Sequence, residues 1–391
     1  LPSNAADLCV VGLGTVGLPL AVWFAAHGMR VHGVDRDRDR AMRIRRGSTE
    51  SREPGLRDRL LEVVADARLT ASAEAVDARA YILTVPTPVD ADHAVVLDAL
   101  EDALDAIVPR LAEDALVVIA STVPVGTTDR IASRVRAARA DLARIHVAHA
   151  PERVLPGAVL EELATSPRVI GGVDPASTRA ATALYARTRG GEIASVDART
   201  AEMVKLAENA QRDVAVAFAD ELSMMAERAK VDVREVVRVA NRHPRVHILE
   251  PGPGAGGPCL PKDAWMLASL GEGAGLVTAA RDVAARKIEH VVTRALTLCA
   301  SRTIGCLGIA YKADVDDTRG STALAVVEEL KRRHPATVLV CDPVVAPGGI
   351  DVSELLATDA MLVALVRHRV FVARRDALRA RIVLDVCGLA S

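Results

Sequence analysis

The sequence predicts an α/β protein built as two doubly wound domains joined by a long central helix. Three observations predict it. Short apolar runs alternate with longer helical stretches through the first half of the chain. A run at 200–228 has no Gly or Pro and carries apolar residues at helical spacing. A second series of short apolar runs then begins near residue 303. The chain has 391 residues, and single cores rarely grow past about 250–300 residues, so more than one domain is expected.

The first candidate strands are 8–11, 30–35, 80–85, 116–122, 146–150 and 168–172. Each is rich in Val, Ile or Leu and shows little alternation. That is the pattern of strands buried on both faces, as in a parallel sheet covered by helices. Such a sheet needs right-handed crossovers, which makes the domain doubly wound. The run at 200–228 is long for a globular helix and suits either a connector and dimer surface or one helix of an ordinary core. From Pro244 to Pro261 the chain becomes a Gly/Pro loop. Helical sequence returns from Asp263 to about residue 300. Candidate strands 303–308, 336–341, 361–366 and 381–386 then form a smaller second α/β domain. The expected division is 1–196, 197–300 and 301–391.

Composition narrows the function. Hydrophobic residues make up 50% and charged residues 26%, which excludes a disordered chain. A net charge of −2 gives no basic excess, so no nucleic-acid partner is expected. Aromatics are only 2%, too few for a base-stacking platform. The six cysteines form no CxxC and fit reduced thiols in a cytoplasmic protein, apart from Cys259. The uncharged run 8–26 is long enough to suggest a membrane span. However, Asp7 precedes it, and Gly12, Gly14, Gly17 and Pro19 interrupt it. A buried strand, a glycine turn and a buried helix explain it better, and no membrane role is expected.

Gly12-Leu-Gly-Thr-Val-Gly17 follows a predicted strand and opens a predicted helix, and Asp35 ends the next strand. Glycines there let the backbone approach a pyrophosphate at a helix N-terminus, while the acid takes the ribose hydroxyls. Gly12, Gly14, Gly17 and Asp35 are therefore expected to bind NAD, since the carboxylate repels the 2′-phosphate of NADP. Arg36, Arg38 and Arg40 pull the other way, and Arg40 is counted among the cofactor contacts. Thr87 and Thr122 follow later strands. Their hydroxyls fall where a dinucleotide would lie, although turn chemistry alone also explains both motifs.

Lys205 and Asn209 are four apart and share a helix face. Such a lysine either snorkels to solvent or, with the amide beside it, stabilises an oxyanion and orients water. Cys259 sits in the Gly/Pro loop just before Lys262 and Asp263. It is either an inert thiol or a nucleophile. A thiol beside a nicotinamide adds to an aldehyde, and loss of hydride from the adduct leaves a thioester. The pairs His146/His149 and His243/His247 have no evident third ligand, so no metal is expected.

In order along nearly the whole chain, the motifs at 12–17, 85–88, 121–128, 151–152, 205–209, 256–263 and 308–321 resemble the UDP-glucose/GDP-mannose dehydrogenase family. Ala150-Pro-Glu-Arg-Val-Leu-Pro-Gly157 and Asn241-Arg-His-Pro-Arg-Val246 are most similar to its UDP-N-acetylmannosamine branch. The resemblance implies two Rossmann-like domains, an N-terminal one for NAD and a C-terminal one for a UDP-sugar, around a helical dimerisation region. It implies a homodimer that oxidises a sugar C6 alcohol to a carboxylate with two NAD. It makes Cys259 the nucleophile, Lys205 and Asn209 the oxyanion and water-orienting pair, and Asp263 an assisting carboxylate. Thr87, Thr122, Lys262 and Arg319 become NAD contacts, and Glu152, Arg245, Gly256 and Lys312 become substrate contacts.

The sequence departs from the family at several points. Pro156 stands where UDP-glucose members carry a second glutamate, which leaves the base of the first oxidation unassigned. Pro258 precedes the cysteine where the mannosamine branch has His, and Gly320 and Thr322 replace residues of the usual Arg-x-Ser-Pro. UDP-glucose and UDP-N-acetylglucosamine are the alternative substrates. Two other classes compete: a non-catalytic dinucleotide sensor, which needs no Cys259, and a two-electron β-hydroxyacid dehydrogenase, which needs neither Cys259 nor the second α/β domain.

Overall fold

The computed structural model describes residues 5–188, 190–271, 273–299, 302–345 and 349–390. The expected boundary at 300/301 and both chain ends lie outside the described residues. The chain forms two compact units, 1–207 and 208–391, and the division falls inside one long helix.

In the first unit the order is β1 (Ala6–Val11), α1 (Gly17–Ala26), β2 (Val31–Val34), α2 (Arg38–Arg45), α3 (Leu56–Ala65), β3 (Leu69–Ser72) and β4 (Ala78–Leu83). There follow α4 (Asp98–Ile107), β5 (Ala115–Ile119), α5 (Thr127–Ala138), β6 (Ile145–His149), α6 (Val159–Thr165), β7 (Arg168–Gly172), α7 (Pro175–Tyr185) and β8 (Ile193–Asp197). The helix α8 (Ala198–Ala229) begins in this unit and ends in the other.

Among the described residues these strands form one sheet in the order β3-β2-β1-β4-β5-β6-β7-β8. The expected burial on both faces is found. Leu8 and Val10 join one core layer while Cys9 and Val11 join the other, as alternation of side chains along a strand requires. The uncharged run 8–26 is the buried β1, a turn and the buried α1. No described helix is long and apolar enough to cross a membrane.

The sheet departs from expectation in two ways. It is not wholly parallel, because β7 pairs with β6 antiparallel. β3 and β8 also add strands that the apolar-run criterion does not find. β3 alternates buried and less buried positions, and β8 has no fully buried residue.

The second unit continues with α9 (Val233–Ala240), α10 (Leu260–Ala268), α11 (Gly275–Cys299), β9 (Ile304–Leu307), α12 (Thr322–Arg333) and β10 (Val338–Cys341). It ends with α13 (Val352–Ala357), β11 (Met361–Ala364), α14 (Arg369–Ala373), α15 (Arg375–Arg379) and β12 (Ile382–Asp385). Its sheet is parallel, in the order β10-β9-β11-β12. The helical stretch expected from Asp263 onward is two helices, because the glycines between Leu270 and Leu276 break it. α10 also starts earlier, with Pro261 in its first turn, where its missing N–H costs nothing.

Candidate active site

In an open α/β sheet, ligands bind beyond the carboxyl ends of the strands where strand order reverses. In the first unit that point lies between β1 and β4. The glycine turn leaves β1 there. A Cβ at Gly17 would stand 1.8 Å from Gly12 O, so only glycine fits that approach. A Cβ at Gly14 would meet nothing within 4 Å, so the turn faces open space at the start of α1. The buried Asp35 carboxylate accepts Leu13 N–H at 3.0 Å and faces Arg40 Nη1 at 3.1 Å. An open glycine turn, a helix start and a buried acid at the next strand end fit a dinucleotide without further change. Thr87 and Thr122 come together differently: Thr87 donates its hydroxyl to Thr122 O at 2.6 Å.

β6 ends at His149, which is fully buried and, among the described residues, has no hydrogen-bond partner on either ring nitrogen. Burial pulls its pKa down to about 3, and the Lys205 ammonium adds to the effect. Glu152, three residues on, is held by Arg168, whose Nη1 lies 3.4 Å from Glu152 Oε2. One turn before Lys205, Glu202 is buried and accepts Gly126 N–H at 2.6 Å, Thr128 N–H at 2.7 Å and the Thr128 hydroxyl at 2.5 Å. It therefore fastens the start of α8 to the N-terminus of α5, beside the 121–128 turn. Desolvation pushes its pKa up despite these donors.

In the second unit Cys259 is exposed and caps the N-terminus of α10, where the helix dipole favours a thiolate. The Arg319 guanidinium is paired with Asp317 at 2.7 Å and has Cys259 within electrostatic reach. Asp263, one turn into α10, is fully buried. It accepts the Asn209 side-chain N–H on Oδ2 and faces Lys262 Nζ at 2.7 Å on Oδ1. Thus Asn209, Lys262 and Asp263 form one cluster beneath the cysteine turn. The Asn209 amide oxygen is left to accept from another donor. Gly257 N–H donates to Gly320 O at 2.9 Å, and Gly256 lies as close to the same carbonyl: a Cβ there would stand 2.6 Å from it. Gly320 itself has φ +62°, and a Cβ on it would stand 2.8 Å from Gly257 O, so glycine is required at this position. Arg245 is exposed in a loop that Asn241 closes through both Ile248 O and Ile248 N–H.

Strand order in the second sheet reverses between β9 and β11. Lys312 follows β9 and is exposed. Its neighbour Asp314 has a left-handed φ of 62°. Asp314 N–H donates to His368 Nδ1 at 2.9 Å, which leaves His368 Nε2–H to donate a hydrogen bond to Asp342 Oδ2 at 3.2 Å. The same Asp342 oxygen accepts Ile309 N–H at 2.7 Å and Ala310 N–H at 3.0 Å. These donors hold the Asp342 carboxyl well below the usual carboxylate range. Asp342 thus does for the second sheet what Asp35 does for the first.

Sequence reasoning missed Glu202, His149, Asp342 and His368. A faint signal existed for Asp342, an acid directly after an apolar run. The other three are visible only once the strands are ordered.

Comparison with known proteins gives three consecutive matches to the UDP-glucose/GDP-mannose dehydrogenase family: its NAD binding domain over 6–189, its central domain over 199–287 and its UDP binding domain over 305–390. The chain is 40% identical to an NDP-N-acetyl-D-galactosaminuronic acid dehydrogenase of Ralstonia nicotianae, over 98% of this chain and 96% of that one. It is 38% identical to a UDP-N-acetyl-D-mannosamine dehydrogenase of Salmonella typhimurium, over 98% of each. The solved structure of the UDP-D-ManNAc dehydrogenase of Pyrococcus horikoshii superposes with a TM-score of 0.92 at 33% identity, covering 98% of this chain and 96% of that one.

Proposed function

The chain belongs to the UDP-glucose/GDP-mannose dehydrogenase family and is an NAD-dependent nucleotide-sugar 6-dehydrogenase, and we propose that its substrate is UDP-N-acetyl-D-mannosamine and its nucleophile Cys259. The product is then UDP-N-acetyl-D-mannosaminuronate. The observation that carries the chemistry is an exposed thiol at the start of α10 with Asp263 and Asn209 paired behind it. The sugar rests on end-to-end similarity to the mannosamine enzymes, at 38% identity for the Salmonella protein.

Gly12, Gly14, Gly17, Asp35 and Arg40 would hold NAD, which would supply the hydride acceptor, one NAD for each of the two oxidations. Removal of hydride from C6 and a proton from its hydroxyl gives the aldehyde. The Cys259 sulfur adds to that carbonyl carbon, and the oxygen that gains the charge is the one Lys205 stabilises. Loss of a second hydride from this adduct leaves a thioester on Cys259. Water then adds to the thioester, the C–S bond breaks, and uronate and thiol are released. Asn209 orients the water through its amide oxygen while its N–H holds Asp263. Lys312 and Arg245 bind the UDP-sugar, Gly256 lets the loop backbone approach it, and Glu152 fixes the sugar from its pairing with Arg168.

The homodimer belongs to this proposal too. It would use α8, where Phe218 is 55% and Met225 59% exposed, two large apolar side chains two turns apart on one helix face. So do the three segments 1–196, 197–300 and 301–391 as cofactor, dimerisation and substrate regions, and a cytoplasmic location.

A second reading has its own support: the 40% identity to the galactosaminuronate enzyme points to NDP-N-acetyl-D-galactosamine. A panel of UDP-N-acetylmannosamine, UDP-N-acetylgalactosamine, UDP-N-acetylglucosamine and UDP-glucose decides between them. The proposal expects the highest kcat/KM with UDP-N-acetylmannosamine, and preference for any other sugar overturns that choice.

A further inference from the structure

Three α8 side chains, Asn209, Asp213 and Asp220, recur at positions that fall on one helix face. Each is tied to the segment that carries Cys259. Asn209 reaches Asp263. Asp213 is fully buried and takes a two-pronged ion pair from Arg281 of α11, whose Nη1 also donates to Ala255 O at 3.3 Å. Asp220, also fully buried, accepts Gly252 N–H at 2.8 Å. The Gly/Pro loop has no regular structure of its own, and it is held from two sides: by these α8 ties at Gly252 and Ala255, and by Gly257 N–H on Gly320 O and the Thr322 hydroxyl on Gly254 O at 3.1 Å.

We propose that Asp220 and the Asp213–Arg281 pair are positioning residues that fix the Cys259 loop from α8, at Gly252 and Ala255, in the geometry the second oxidation needs.

Burying a carboxylate is expensive, and a well-packed hydrophobe at such a site is often at least as stable. Asp220 is an acute case. Its Oδ2 is buried with no hydrogen-bond partner among the described residues, and the Lys287 ammonium acts on the carboxylate only as a nearby charge. Lys287 Nζ donates instead to the Ser223 hydroxyl at 2.6 Å, which donates to the main-chain carbonyl of Asp220 at 2.6 Å. What the carboxylate gives in return is an acceptor for a loop N–H that has no other among the described residues. A loop displaced by about 1 Å would cost thiol addition far more than it costs folding. The inference rests on Cys259 being the nucleophile, but the position of the loop can be read without it.

The test compares Asp220→Leu, which removes the acceptor, with Asp220→Asn, which keeps one. Asp220→Leu should lower kcat for uronate about tenfold and raise hydrogen exchange of the 252–259 amides by at least about tenfold, with NAD affinity unchanged. Asp220→Asn should restore both readouts. If Asp220→Leu does not fold, Gly252→Pro deletes the same hydrogen bond from the loop side and should give the same pattern. Unchanged kcat and exchange when the bond is removed, or an Asp220→Asn variant as impaired as Asp220→Leu, overturns the proposal. If Cys259→Ser stays fully active while Asp220→Leu still loosens the loop, only the nucleophile reading falls.

Discussion

Arg40 Nη1 lies 3.1 Å from Asp35 Oδ2, on the same oxygen that accepts Leu13 N–H. The acid therefore closes the glycine turn, and under the proposed function it also sets the charge beside the cofactor ribose. Arg40 is 44% exposed on its side chain, so it is free to turn toward an added phosphate once the acid is neutral. Asp35→Asn keeps an acceptor for Leu13 but removes the charge. The ratio of kcat/KM for NADP over NAD should rise about tenfold. Steady-state kinetics with both cofactors checks it, and an unchanged ratio counts against Asp35 as the discriminating group.

His149 makes stability depend on pH. Its folded pKa is about 3 against an ordinary 6.5, so between those values the unfolded chain binds one more proton than the folded one. Its contribution is complete above pH 6.5 and is lost as pH falls, at up to about 1.4 kcal/mol per pH unit. Urea unfolding at about pH 5 and about pH 7 should show this loss in wild type and its reduction in His149→Leu. Equal pH slopes for the two proteins would rule out a buried neutral imidazole.

Glu202 closes the N-terminus of α5 with two backbone N–H groups and a hydroxyl. Glu202→Ala leaves those donors unpaired in a buried setting and should destabilise the protein by about 2–3 kcal/mol. Thermal unfolding of the variant measures it, and a melting temperature equal to wild type contradicts the capping role.

His368 bridges Asp342 to the strained Asp314 beside Lys312. His368→Ala should raise KM for the UDP-sugar about tenfold, as loss of one buried hydrogen-bonded anchor predicts, and leave KM for NAD unchanged. A rise in both constants would point to general unfolding instead.

Much of this was legible in the sequence, and the limits have physical causes. The glycine turn and Asp35 could be read because their spacing is dictated by a single strand-turn-helix unit. The long α8 could be read because it lacks Gly and Pro over its whole length. β7 could not be oriented, since a strand buried on both faces looks the same parallel or antiparallel. β8 was invisible because none of its residues is fully buried. The motif order singled out Cys259, Asn209 and Asp263, and the fold ties Asn209 to Asp263. Nothing in the sequence pairs Asp213, Asp220 and Glu202 with their partners, because only the folded chain brings Arg281, Gly252 and Gly126 to them.

The number of NADH formed per UDP-sugar consumed tests the proposed covalent adduct at Cys259 most directly. Two oxidations through one thiol predict two NADH per sugar, with uronate as the product and no aldehyde released. They also predict that Cys259→Ser stops short of uronate, because a serine hydroxyl is a far weaker nucleophile at neutral pH. One NADH per sugar with aldehyde released, or uronate made at the wild-type rate by Cys259→Ser, would contradict it.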